Sequence, residues 1–267
     1  MPITDMRKPP VCLTIAGLDP SGGAGIIADI KTFSAFGCFA AAAIASVTFQ
    51  NTTGVFGSVH QTADSVRRQA EAVFDDYEVA AVKTGMLPNR EIIETVAEIV
   101  RERKVTNLVV DPVIRSTSGF DLIDAPALEA LIERLFPLAT VITPNIPEAE
   151  RIADITISSG ADIRMAANIM RSLGASSVLI KGGHASNADV QKATDRLFYN
   201  DREETFEAAF IDTSATHGTG CTLAAAITAN LALGKDLVEA IEIAKAFVTE
   251  AIRTSPRLGK GNSPINI

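Results

Sequence analysis

The chain has 267 residues, 47% of them hydrophobic, with 24 Lys and Arg against 32 Asp and Glu, for a net charge of −8. That length and apolar content suit one large α/β unit spanning 1–267 and exclude disorder as the default. The acidic balance makes nucleic acid and anionic membrane poor partners, because the mean field repels both.

Cys12, Cys38 and Cys221 are sparse and far apart, with no CxxC pair, which reads as a reduced, cytoplasmic protein and not as a disulfide framework or zinc site. Residues 1–10 lack a long apolar segment, and the run at 11–17 is too short for a signal-peptide core. Residues 38–49 are apolar but well short of the roughly 20 needed to cross a bilayer.

In chain order, short apolar runs alternate with amphipathic ones. The pattern predicts a strand at 11–16, a helix at 24–36, a strand at 40–48, a helix at 62–74, a strand at 80–84 and a helix at 90–102. In the last of these, Ile92, Ile93, Val96, Ile99 and Val100 recur at helical spacing. A strand at 107–111, a helix at 125–135, a strand at 140–143, helices at 146–153 and 163–173, and a strand at 177–181 follow. This alternation points to a mostly parallel sheet covered on both faces by helices, a three-layer α/β/α architecture. Residues 194–199 and 205–211 flank a polar turn as in a β-hairpin, and helices at 220–233 and 237–254 close the chain, broken at Gly234. No linker or internal repeat interrupts this order.

Three segments hold the residue types that chemistry needs. The first, from Gly17 to Gly25 (GLDPSGGAG), is a strand-to-helix turn dense in glycine, where a backbone can approach a ligand closely. It reads either as a plain tight turn or as a ligand mouth. Residues 23–28 match G-x-G-x-x-A, but no acidic residue stands in 38–50 for a ribose, so NAD and FAD are discounted; no P-loop motif occurs. Asp29, one turn into the following helix, is either a solvated charge or a substrate acceptor.

The second, Thr216-His-Gly-Thr-Gly-Cys-Thr-Leu223, opens a helix. Unpaired amides at a helix N-terminus carry positive dipole character, so Gly218 to Cys221 can form an anion hole, and the same field is expected to lower the Cys221 pKa. The alternative is a buried structural cysteine behind a glycine cap. His217 reads as a structural hydrogen-bonding residue. The third segment, Thr143-Pro-Asn-Ile-Pro-Glu148, and Asp111 both end candidate strands, where carboxylates can hold Mg²⁺; Glu148 reads equally as a first-turn helix charge. Lys181 is either a point charge for a triphosphate or a solvated strand-end lysine, and Met86 is either core or ligand wall.

Together AGLDPSGGAGIIADIKTFSAFG, SVTFQNT, AAVKTGML, VVDPVI, VITPNIPEAE, IKGGH, HGTGCTL and GKGNSPI resemble, in collinear order from Val11 to Ile265, the hydroxymethylpyrimidine/phosphomethylpyrimidine kinases of thiamine biosynthesis, in the ribokinase superfamily. The resemblance implies a ribokinase-like fold and an ATP-dependent kinase acting on the pyrimidine alcohol and then on its monophosphate. It implies that Gly17, Asp29, Gln50, Met86 and Val113 face the pyrimidine and that Asp111 and Glu148 organise Mg²⁺. Lys181 would neutralise the phosphate tail, Gly218, Thr219, Gly220 and Cys221 would form the anion hole, and Asn145 and Lys245 would lie near the nucleotide. Members are commonly homodimers. A pyridoxal kinase, alone or with dual specificity, and a catalytically silent pyrimidine-binding regulator are the competing readings. The chain departs from the family at Leu18, where Ser or Thr is usual, and at residues 113–119, where Thr117 replaces the usual lysine and Arg115 stands nearby.

Overall fold

The computed structural model describes residues 8–115, 119, 121–182 and 192–267. The first half runs β1 (Val11–Leu18), α1 (Gly25–Ala35), β2 (Phe39–Asn51), β3 (Gly54–His60), α2 (Ala63–Asp76), β4 (Val79–Thr84), α3 (Arg90–Glu102) and β5 (Leu108–Val110). The second runs α4 (Ala125–Ala130), β6 (Val141–Ile142), α5 (Ile146–Ala153), α6 (Gly160–Ser172), β7 (Ser177–Ile180), β8 (Lys192–Tyr199), β9 (Arg202–Ala209), α7 (Thr219–Ala232) and α8 (Leu237–Arg253).

The nine strands among the described residues form one sheet in the order β3-β2-β1-β4-β5-β6-β7-β8-β9. The six from β2 to β7 are mutually parallel, while β3, β8 and β9 run antiparallel to their neighbours. The inner strands are apolar on both sides because both faces are covered. Leu108, Val110, Ile142, Val178 and Ile180 pack with α2 to α6, whereas Val109, Val141 and Leu179 pack with α7 and α8. Helix α3 shows how its sequence builds this layer. The Asn89 side chain caps it by accepting from Ile92 N, and Ile92, Ile93, Val96, Ala97, Ile99 and Val100 are all buried.

Helix α7 is different: ten consecutive residues, Thr222–Leu231, are buried. It is rich in alanine, which lets it lie between the sheet and the helices α1 and α8. A helix buried on every side has its direction fixed by its surroundings, and the N-terminus of α7 is aimed at the carboxyl ends of the strands.

Strand β3 had no counterpart in the sequence reading, while the expected hairpin forms as β8 and β9 and also extends the main sheet. One expectation changes. The helix expected over 125–135 stops at Ala130 and widens into a π-helical turn, Leu131–Leu135, followed by a 3-10 turn, Phe136–Leu138. Pro137 accounts for this, since it has no N–H to continue an α-helix and its ring crowds the carbonyl four residues back.

Candidate active site

Ligands of open parallel sheets gather beyond the carboxyl ends of the strands. There the protein has a cleft of about 1120 Å³ whose wall is formed by the ends of β1, β2, β4, β5 and β7, the start of α5 and the start of α7. Gly17, Gln50, Met86, Val113, Asp111, Asn145, Glu148, Lys181, Lys245 and the segment Gly218–Cys221 all line it.

At one end, Gly17 and Met86 touch: a Cβ on Gly17 would meet Met86 Sδ at 3.0 Å. Gln50 Oε1 lies 3.1 Å from Thr48 Oγ1, which also donates to Leu18 O at 3.0 Å. Asp29 is not in the cleft wall. It is fully buried behind it, accepting from Thr14 Oγ1 at 2.7 Å and Lys83 Nζ at 2.8 Å, while Asp29 Oδ1 has no partner among the described residues. Burial pushes the Asp29 carboxyl above its ordinary range, and Lys83 and Thr14 pull it back. Lys83 was not singled out in the sequence; its signal was a lysine inside the apolar run AAVKT of β4.

At the other end, Asp111 Oδ1 accepts from Lys181 Nζ at 3.0 Å and Thr143 Oγ1 at 3.1 Å. Glu148 takes the first-turn helix position that its sequence allowed and also lines the cleft. As the third residue of α5 it completes a capping box with Asn145, whose N donates to Glu148 Oε2 at 2.8 Å while Glu148 N donates to Asn145 Oδ1 at 2.9 Å. It is also buried at the cleft wall, and burial, with Asp111 adding, pushes its carboxyl up to about 7 against the pull of Lys181. Burial works against the charge on Lys181, but Asp111 and Glu148 more than offset this and raise its pKa. Among the described residues no group of three His, Cys, Asp or Glu gathers as a metal cage. A carboxylate pair does suit Mg²⁺, which keeps several waters and takes much of its shell from phosphate.

Facing this pair is the start of α7. Its first intrahelical donor is Thr222 N, bonded to Gly218 O at 2.9 Å, so the amides of Thr219, Gly220 and Cys221 precede the ladder. Thr219 N bends back to Thr216 O at 3.4 Å. Gly220 is flat against Lys181, whose Nζ a Cβ there would meet at 3.2 Å. The Cys221 thiol corrects the expectation of a lowered pKa. Burial raises it to about 11, with Asp111 and Asp29 adding, while Lys83 and a hydrogen bond from Gly25 N pull it down. The thiol is therefore neutral near pH 7.

Lys245, on α8, donates to Asp195 Oδ2 of β8 at 2.7 Å, and Asp195 Oδ1 accepts from Gly182 N at 3.0 Å. Asp19, His217 and Asn262 also line the cleft; sequence reasoning assigned no site role to them. Arg115 ion-pairs with Asp121 at 2.9 Å and lines the cleft mouth, whereas Thr117 and Gly183 lie outside the described residues.

A family model described as phosphomethylpyrimidine kinase matches residues 19–266. The chain belongs to this family. A hydroxymethylpyrimidine/phosphomethylpyrimidine kinase of Haemophilus influenzae is 44% identical over 255 residues, 95% of each chain. A crystal structure of a phosphomethylpyrimidine kinase from Clostridium difficile superposes with a TM-score of 0.80 at 42% identity, covering 91% of this chain and 99% of the other. An ADP complex of Bacillus subtilis pyridoxal kinase superposes with a TM-score of 0.88 at 38% identity and 97% of each chain. The phosphomethylpyrimidine kinase family and the pyridoxal kinase thus share this ribokinase-like α/β/α fold. Among the described residues, no helix is long and apolar enough to cross a membrane.

Proposed function

We propose that this protein transfers the γ-phosphoryl group of ATP to the alcohol of 4-amino-5-hydroxymethyl-2-methylpyrimidine, and then phosphorylates the resulting monophosphate to the diphosphate for thiamine biosynthesis. The carrying observation is the opposition, across one cleft, of the Asp111–Glu148–Lys181 group and the amides ahead of the α7 ladder, with the Gly17–Gln50–Met86 wall at one end. Family membership and the names of the similar kinases agree with it.

Phosphoryl transfer needs positioning and charge stabilisation more than covalent help. In this reading the wall formed by Gly17, Gln50, Met86 and Val113 holds the ring, with Gln50 offering both a donor and an acceptor to a ring nitrogen and an exocyclic amine. Asp29 stands behind this wall, and its Oδ1, without a partner among the described residues, is the second acceptor in this reading, while Lys83 pulls its pKa back against the burial that raises it. The amides of Gly220 and Cys221 receive the travelling phosphoryl group. Lys181 neutralises the phosphate tail, and Asn145, Thr219 and Lys245 border the nucleotide. Asp111 and Glu148 would hold Mg²⁺, partly through its waters, and the ion would supply charge neutralisation on the phosphates. A neutral Cys221 leaves the second nucleophile unopposed: a phosphate monoester is largely dianionic at neutral pH because its second pKa is about 6, and a carboxylate beside it would repel it.

The reading includes a single-domain, cytoplasmic homodimer. Reduced cysteines support the compartment. The dimer is supported by the edge strand β3 and its neighbour β2, where Phe49, Phe56 and Val59 are exposed to 53%, 67% and 54%. A second substrate, pyridoxal, is favoured by the pyridoxal kinase superposition. ADP release measured side by side with hydroxymethylpyrimidine, its monophosphate and pyridoxal decides the matter. Turnover of both pyrimidines at a kcat/KM well above that of pyridoxal is expected; turnover of pyridoxal alone, or of none, would overturn the assignment.

A further inference from the structure

Asp19 and His217 stand 198 positions apart in sequence yet share a buried 2.7 Å hydrogen bond between Asp19 Oδ2 and His217 Nε2, both side chains lining the cleft. Asp19 is crowded with donors. Its Oδ1 accepts from Ser21 N at 2.8 Å, and its Oδ2 accepts from Ser21 Oγ at 2.9 Å and Ala24 N at 3.0 Å. Although burial acts to raise the carboxyl, these bonds and His217 hold it below the usual range, so it is an acceptor and the imidazole Nε2–H donates. With these lone pairs and that ring proton engaged inside the protein, neither group is placed to exchange a proton with a substrate.

What the pair joins is specific. Asp19 shapes the loop from β1 into α1, and this loop begins at Gly17 on the pyrimidine side and ends at Gly25, whose amide reaches the Cys221 sulfur. His217 immediately precedes Gly218, the cap of α7. Beside this bond the two loops lie against each other closely at their glycines. A Cβ on Gly218, which has φ +86°, would collide with Gly23 O, and a Cβ on Gly23 would run into the His217 ring and meet Pro264 Cβ at 3.0 Å. The chain end closes the other side. His217 N donates to Ser263 O at 3.2 Å, and Asn262 N donates to Thr52 O, just beyond the end of β2, at 2.8 Å.

We propose that Asp19 and His217 are positioning residues for phosphoryl transfer, a clasp whose side-chain hydrogen bond, beside the Gly25 amide's contact with the Cys221 sulfur, helps set the separation between the loop that holds the acceptor and the amides that receive the phosphoryl group. This rests on the kinase reading above. Each half of the clasp belongs to one side of the reaction, so loosening it lets each ligand bind its own wall while the reacting atoms lose alignment. Misplacement by about 1 Å can cost about 100-fold in rate. The signature is a fall in kcat per mole of folded protein with little change in KM; since partial unfolding alone also lowers apparent kcat, the folded fraction and the recovery by Gln are what separate positioning from a merely folding role.

Two substitutions separate the hydrogen bond from the imidazole itself. Gln places an amide N–H near the position of Nε2 and can still reach Asp19, whereas Asn stops near Nδ1 and cannot. We expect His217→Asn to lower kcat about 100-fold with KM for MgATP and for the pyrimidine within roughly threefold, and His217→Gln to recover at least tenfold of that loss. Asp19→Asn, which keeps the shape of the carboxylate but weakens its bonds, should fall between them. Circular dichroism melting and the nucleotide Kd by calorimetry confirm that the variants compared are folded. The clasp is overturned if His217→Asn keeps kcat within about threefold of wild type, if Gln and Asn lose equally, or if the loss appears in KM alone. A wild-type protein that phosphorylates neither pyrimidine would remove the kinase reading and the clasp together, whereas an active wild type with an indifferent His217 removes only the clasp.

Discussion

At Cys221 a local rule loses to its surroundings. A thiol at a helix N-terminus is ordinarily acidified, yet here enclosure and the nearby Asp111 and Asp29 push it up to about 11, beyond what Lys83 and the Gly25 amide recover. Two results follow. Alkylation by iodoacetamide should be slow at pH 7 and accelerate as pH rises toward about 11, since the thiolate is the nucleophile; a rate already at its plateau by pH 7 would contradict the neutral thiol. Cys221→Asp should cut kcat/KM for the monophosphate by at least about tenfold more than for the alcohol, because only the former approaches as a dianion. Equal losses would mean that electrostatic repulsion is not what the thiol avoids. Residues legible in the sequence were those in strand-end and helix-start motifs: Asp111, Glu148, Lys181 and Gly218 to Cys221. Lys83, Asp19 and Asn262 were not, because their placement depends on partners 54, 198 and 210 residues away in the chain. No local pattern records such a pairing.

The elements were read well wherever periodicity and caps agreed. Helix α3 runs over the expected residues because Asn89 caps the start of its apolar stripe, and α5 does so because Asn145 and Glu148 cap each other. Strand β3 escaped because Gly57 interrupts its alternation, yet a signal was present: Asn51 and Gly54 bracket a turn in which Asn51 Oδ1 accepts from Thr53 N at 2.8 Å. The same scale explains the glycines of the second motif. Gly218 adopts a left-handed φ of +86° and lies against Gly23 O, so Gly218→Ala faces both backbone strain and a collision with backbone that cannot swing away. We expect a loss of about 2–4 kcal/mol in urea unfolding. In the folded fraction kcat should fall by at least about 10-fold, since the α7 amides must shift. Gly234→Ala is the control at the other end of α7: it shares the positive φ, but its Cβ would meet nothing within 4 Å. It should lose about 1 kcal/mol and leave kcat unchanged. Equal kinetic damage at both positions would show that the cost is helix stability and not the position of the anion hole.

Across the whole molecule, three antiparallel strands frame a parallel core, and its two edges are treated differently. Strand β9 carries Arg202, Glu203, Glu204 and Glu207, and Glu207 pairs with Lys192 of β8, charges that discourage another strand from adding on. Strand β3, at the opposite edge, offers Phe56 and Val59, with Phe49 of β2 lying over Gly57 so that the ring remains outside. A chain with a net charge of −8 gains solubility from its charge, not from such a patch, so the aromatic edge has a purpose only if something covers it. A second copy suits it, because the patch adjoins Gln50 at one end of the cleft and burial there would stiffen the strand end proposed to hold the pyrimidine. Sedimentation equilibrium should therefore give a dimer for the wild type and a monomer for Phe49→Lys/Phe56→Lys. Burying two phenylalanines contributes roughly 3–6 kcal/mol across each symmetric half, enough to govern association at micromolar concentration. The monomeric variant should also show a raised KM for the pyrimidine with the KM for MgATP unchanged, because only the β2 end of the cleft lies next to the patch. A wild type that sediments as a monomer would leave the aromatic edge without this partner, and a dimer indifferent to both lysines would place the interface elsewhere.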